Sequence, residues 1–183
     1  SKYSEDGTQM IWTNFVGGGD DNVGTETVHS LICDTSDNIY MYGVTSSLDF
    51  PLMNAYQGTH AGGSSLSVDF NGTNFGTTGT DIYVTKISSD GLSLMGSTYI
   101  GGAGNDGVNY KVTSGTYNNV AFYDSLTTNY GDQFRGEIML DSMNNVLIAS
   151  MTRSTDFPTV NAFQGANAGQ QDGVVFMLSS DFS

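Results

Sequence analysis

Asp34-Thr35-Ser36-Asp37-Asn38-Ile39-Tyr40-Met41-Tyr42-Gly43-Val44-Thr45-Ser46-Ser47-Leu48-Asp49-Phe50-Pro51 returns without a gap as Asp141-Ser142-Met143-Asn144-Asn145-Val146-Leu147-Ile148-Ala149-Ser150-Met151-Thr152-Arg153-Ser154-Thr155-Asp156-Phe157-Pro158. The match runs on through Asn54-Ala55 against Asn161-Ala162 and Gln57-Gly58 against Gln164-Gly165, with Tyr56 opposite Phe163. Agreement on this scale marks an internal repeat, and a long period points to a repeat architecture. Two further pieces recur: residues 81–90 as 172–181, and residues 14–18 as 98–102.

Each unit reads as short strands separated by turns. Apolar and β-branched runs predict strands at residues 27–33, 38–45, 81–87 and 92–100, and again at 134–140, 145–152 and 172–178. Between them lie Asp-Thr-Ser-Asp-Asn, Ser-Ser-Asp-Gly and Asp-Ser-Met-Asn-Asn, residues whose side chains satisfy turn backbone. Residues 9–16 read as the last strand of a preceding unit, and no stretch sustains a helical period. Residues 39–44 and 146–151 are apolar on both faces, as in a sheet covered on both sides. Phe after Asp at each strand exit can wedge between sheets, and the following Pro cannot continue a ladder. Four strands per repeat is the pattern of β-propeller blades. The expectation is therefore an all-β chain of about two four-stranded blades of a larger ring, with two long loop insertions. Residues 1–18 end a preceding blade; residues 19–102 form one blade with an insertion near 63–79; residues 103–183 form a second, incomplete at its end, with an insertion near 107–132.

Charged side chains are only 13% of the 183 residues, and Gly, Ser, Thr and Asn take their place. The net charge of −14 repels nucleic acid and anionic lipid. No apolar run is long enough to enter a bilayer as a helix. The start at Ser1, with no leader-like segment, reads as a mature fragment or an internal piece. The single cysteine, Cys33, excludes an internal disulfide and reads as a buried small hydrophobe in Leu31-Ile32-Cys33.

Catalytic groups are sparse. His29 falls in a predicted strand and His60 in a Gly-rich loop, and neither recurs in the second unit. Glu26 and Glu137 are the candidates for a glycosidase pair, at non-equivalent places in the repeat. Zinc would need clustered His or Cys. Structural calcium is the one metal to consider, through Asp20, Asp21 and Asp106 in two Gly/Asp loops; these equally suit ordinary turns. The second insertion carries Tyr110, Tyr117, Tyr123 and Tyr130. Loops on a rigid scaffold commonly carry binding, and tyrosines suit protein or glycan contact, although the same rings can pin long loops to the blades.

The chain resembles the beta-propeller repeat (SBBP) family. The marks are Asp-x-x-x-Asn-(Ile/Val), Thr-x-Ser-x-Asp-Phe-Pro, Asp-x-x-Val-x-Lys-Ile-x-x-Asp-Gly and the stretch 97–106. The second unit departs from it at Met177, where the Lys would stand, and at Ser150, where the Gly would stand. The insertions resemble those of large Bacteroidota surface proteins that carry gliding-motility or type B sorting domains and leave by type IX secretion. The resemblance implies an extracellular or cell-surface location, and the tandem blades, acidic charge and lack of a catalytic set point to a non-enzymatic structural or adhesive module. Its partners would be other blades of the same protein and a surface protein or glycan. The alternative is the propeller part of a secreted hydrolase acting on polysaccharides or esters. Asp124-Ser125-Leu126 and Asp141-Ser142-Met143 are similar to the Asp-(Ser/Thr)-apolar acceptor of Bacteroidota O-glycosylation, with Ser125 and Ser142 as the acceptors.

Overall fold

A computed structural model describes residues 1–19, 24–65, 68–70, 73–75, 78–109, 111–112, 120–121 and 136–182. Among these the chain is all-β and antiparallel, with no helix. A hairpin of β1 (Lys2–Tyr3) and β2 (Met10–Trp12) opens it. A four-stranded sheet follows in sequence order, β3 (Glu26–Cys33), β4 (Ile39–Thr45), β7 (Asp81–Ile87) and β8 (Leu94–Ile100). The second unit is a three-stranded sheet of β11 (Glu137–Leu140), β12 (Val146–Thr152) and β13 (Asp172–Leu178).

The repeated turns are built alike. Asp34 accepts hydrogen bonds from the Ser36 and Asn38 amides at 2.9 Å each, and Asp141 does so from Met143 (2.8 Å) and Asn145 (2.9 Å). The next corner residue is left-handed in both, Asp37 at φ 61° and Asn144 at φ 62°, a conformation that Asn and Asp tolerate. The β7–β8 turn closes on Asp90, which accepts from Ser88 Oγ at 2.6 Å and the Leu92 amide at 3.0 Å.

The two larger sheets pack face to face. Tyr40, Tyr42, Ile82, Val84 and Ile100 meet Ile138, Val146, Ile148, Leu178 and Phe182, all buried. The first strands of the two sheets, β3 and β11, adjoin, and Ser30 Oγ donates to Glu137 Oε2 at 3.3 Å. On the other face of the four-stranded sheet, Phe50 packs on Tyr83 and Tyr99. The Tyr99 hydroxyl accepts from the Phe50 amide and donates to the Ser47 carbonyl, both at 2.9 Å, so Phe50 is held on that face by a buried polar tip.

Several expectations change. The opening residues hold two strands rather than one. Lys2 pairs with Trp12 in the register in which Lys86 pairs with Gly96, with the same bulge after the lysine, so β1–β2 is the counterpart of β7–β8. The insertions are not plain loops: β5 (Val68–Phe70) pairs with β6 (Thr73–Phe75), and β9 (Lys111–Val112) with β10 (Val120–Ala121). Cys33 is exposed, not buried. It ends β3, an outer strand on which Leu31 and Cys33 alternate with half-buried Ile32, so its apolar run is only half covered. The strand at 146–152 likewise has one covered face: Val146 and Ile148 are buried, whereas Ala149 is exposed.

Candidate functional site

The buried polar groups gather where one unit hands over to the next. At the second joint, the Asp106 carboxylate is fully buried. It accepts from Thr152 Oγ1, from Ser154 Oγ at 2.8 Å and from the Gly102 amide at 2.8 Å. The Ser154 amide donates to Thr152 Oγ1 at 2.9 Å, and Asp156 accepts from the Ala103 amide at 2.8 Å. These residues supply the Thr-x-Ser-x-Asp part of the repeated motif, so that stretch clamps the Gly-Gly segment arriving from the previous sheet.

The first joint repeats the clamp with a different acid. Glu26 Oε1 accepts from Thr45 Oγ1 at 2.9 Å, from Ser47 Oγ and from the Gly18 amide at 3.5 Å. The Ser47 amide donates to Thr45 Oγ1 at 2.9 Å, and Asp49 accepts from the Gly19 amide at 3.1 and 3.2 Å. Glu26 thus stands where Asp106 stands, a match that sequence reading missed. The two acids differ in type and in spacing from their Gly-Gly pairs, so only the shared Thr and Ser partners identify them.

Asp81, the first residue of β7, completes the second joint. Its Oδ2 accepts from the Ala61 amide at 2.7 Å and Gln57 Nε2 at 3.3 Å, as Asp172 Oδ2 accepts from Ala168 (2.7 Å) and Gln164 (3.3 Å). Asp81 is fully buried and its Oδ1 has no hydrogen-bond partner. A Cβ on Gly101 would strike both Asp81 Oδ1 and Asp106 Oδ2, so this glycine lets the two carboxyl groups approach. Burial pushes Asp81 up to about 8, against the pull of the Ala61 amide, and the Asp106 charge adds to the rise. Burial pushes Asp106 up to about 6 against its hydroxyl and amide donors. Both carboxyl groups are thus pushed toward the neutral form, Asp81 further than Asp106. The chemistry of the joint is that of a buried structural clamp.

The other sequence candidates are dispersed. Asp20, Asp21, Tyr110, Tyr117, Tyr123, Tyr130 and Ser125 lie outside the described residues. Ser142 is exposed in the β11–β12 turn. His29 Nε2 lies 3.1 Å from Thr27 Oγ1, with its ring 5.7 Å from Tyr42; His60 meets Tyr99 edge-on on the other side of the sheet. Burial lowers the His29 imidazole to about 4. Glu26 sits in the first clamp, and Glu137 takes the Ser30 bond at the β3–β11 seam. Among the described residues no group of three or more His, Cys, Asp or Glu could hold a metal. Both Asp106 oxygens already accept protein hydrogens, bonds that a calcium ion there would have to displace. A scan against protein-family models finds no match, and neither does a search of curated proteins.

Proposed function

We propose that this chain is a run of consecutive blades of a β-propeller of the SBBP type. In this reading it is a non-enzymatic structural or adhesive module of an extracellular, cell-surface protein. One observation carries it. The face of the first sheet formed by Tyr40, Tyr42, Ile82 and Val84 is covered by the second sheet. The matching face of the second sheet, including Ala149, Val175 and Met177, is exposed. A further sheet of the same repeat fits that face as the second sheet fits the first. The clamps at Glu26 and Asp106 support the reading, because they use buried acids and hydroxyls to join units rather than to line a cleft. Proposed partners are other blades and a cell-surface protein or glycan. Export by the type IX route belongs to the same proposal.

Two measurements on the full-length protein test it. Single-particle images are expected to show a closed ring of blades; an open two-sheet particle overturns the architecture. Immobilised polysaccharides and surface proteins are expected to retain the protein without being cleaved. Steady release of sugars from polysaccharides, or of acid from esters, by this chain overturns the non-enzymatic reading.

A further inference from the structure

The turn residues Gly7, Gly91 and Phe182 are structural equivalents. Each amide bonds back to a serine carbonyl, Ser4 at 2.9 Å, Ser88 at 2.9 Å and Ser179 at 3.0 Å. Each is left-handed, at φ 71°, 75° and 68°. Glycine suits that conformation, whereas a Phe there is strained and needs a compensating contact. Trp12 and Gly96 are equivalents too, by their pairing with Lys2 and Lys86.

These two positions meet across the joints. A Cβ on Gly91 would stand 2.6 Å from the indole of Trp12. Trp12 Nε1 donates to the Ser89 carbonyl at 3.3 Å, and Asn14 Nδ2 to the Gly91 carbonyl at 2.6 Å, so the indole is seated on that turn. At the next joint the roles are exchanged. A Cβ on Gly96 would stand 2.7 Å from the ring of Phe182, which is wholly buried. In one joint the preceding strand brings the large ring and the turn brings the glycine; in the other the strand brings the glycine and the turn brings the ring.

We propose that successive units are joined by a size-keyed contact whose polarity is reversed between the two joints, so that each unit accepts only its own neighbour. A Trp12-type strand set against a Phe182-type turn would place two rings in one space. A Gly96-type strand set against a Gly91-type turn would leave a hole. Either mismatch costs stability, by overpacking or by cavity formation. The left-handed Phe182 is then the specificity device of its unit.

A double-mutant cycle on the whole chain tests the key. Gly91→Ala is expected to lower the melting temperature in the wild-type background and to lower it by about half as much or less once Trp12 is replaced by Ala. The left-handed strain is common to both backgrounds and cancels. Equal losses in both backgrounds overturn the proposal. The chain's single tryptophan gives a second readout. Emission from Trp12 is expected to be blue-shifted in the native chain and to move toward that of the unfolded chain in Gly91→Ala. Unfolded-like emission in the native wild type overturns the seated indole. For the second joint, Gly96→Ala is expected to lose less in a Phe182→Gly background than in the wild type; the same loss in both overturns the reversed polarity.

Discussion

At the scale of single residues, the buried Asp81 links the fold's stability to pH. Its folded-state value of about 8 lies above the ordinary 3.8. Well below pH 3.8 it is protonated whether folded or not and contributes no pH slope. As pH rises toward 8 the unfolded chain releases the proton and the folded chain keeps it, so stability is progressively lost. Asp106, raised to about 6, adds a loss of the same sign over a narrower range. Asp34 and Asp141, held down by amide and Asn donors, act oppositely and lose their contribution on acidification. Asp81→Asn keeps an acceptor for the Ala61 amide and supplies a neutral donor toward Asp106. It is expected to flatten the decline between pH 4 and 8 and to stabilise the chain at pH 8 by on the order of 1 kcal/mol or more. Chemical denaturation across that pH range checks this; an unchanged slope would show that Asp81 ionises normally in the fold.

At the scale of elements, β12 and β13 separate a covered face from an open one. Ile148 is 1% exposed against the first sheet, and Val175 is 80% exposed on the opposite face. Ile148→Ala is expected to cost about 2–5 kcal/mol, because its neighbours cannot close the space it leaves. Val175→Ala is expected to stay within about 0.5 kcal/mol. Comparable losses from both would mean that the outer face is covered after all. The strands themselves were legible in sequence, since the Asp-x-x-x-Asn turns fix the hairpins and the apolar runs between them have few other options. Which face of a run is covered was not legible, because period-2 alternation is hidden where both faces are apolar, as in β12. Cys33 was misread for the related reason that an outer strand covers only one side. The hairpin in residues 1–18 did carry a signal, Ser4-Glu5-Asp6-Gly7 matching Ser88-Ser89-Asp90-Gly91. The clamps were half legible: their Thr and Ser stand in a repeated motif, but the acid they bind moves along the chain between joints.

At the scale of the whole molecule, the uncovered face competes with the net charge. Met139, Val175 and Met177 are exposed together on the sheet β11–β13, with Phe163 and Val160 exposed on the chain between β12 and β13. Apolar surface of this kind drives association. The net charge of −14 opposes it by mutual repulsion between copies. Salt screens that repulsion over about 8–10 Å near physiological ionic strength and leaves the apolar attraction in place. The chain is therefore expected to associate more strongly as salt is raised, the reverse of an association held by opposite charges. The repeat also points to a change that disfavours it. Met177 pairs with Leu147 as Lys86 pairs with Tyr40, and the Lys86 ammonium lies 4.9 Å from the Tyr40 ring centre. Met177→Lys restores the residue of the first unit on an exposed strand, so the fold is expected to tolerate it within about 0.5 kcal/mol. A charge on the open face must be desolvated when two copies meet, which costs more than the methionine it replaces. Sedimentation at rising salt is expected to show the wild type shifting to larger species and Met177→Lys shifting less, with equal melting temperatures for the two. Association that weakens with salt, or that Met177→Lys leaves untouched, would move the contact away from this face.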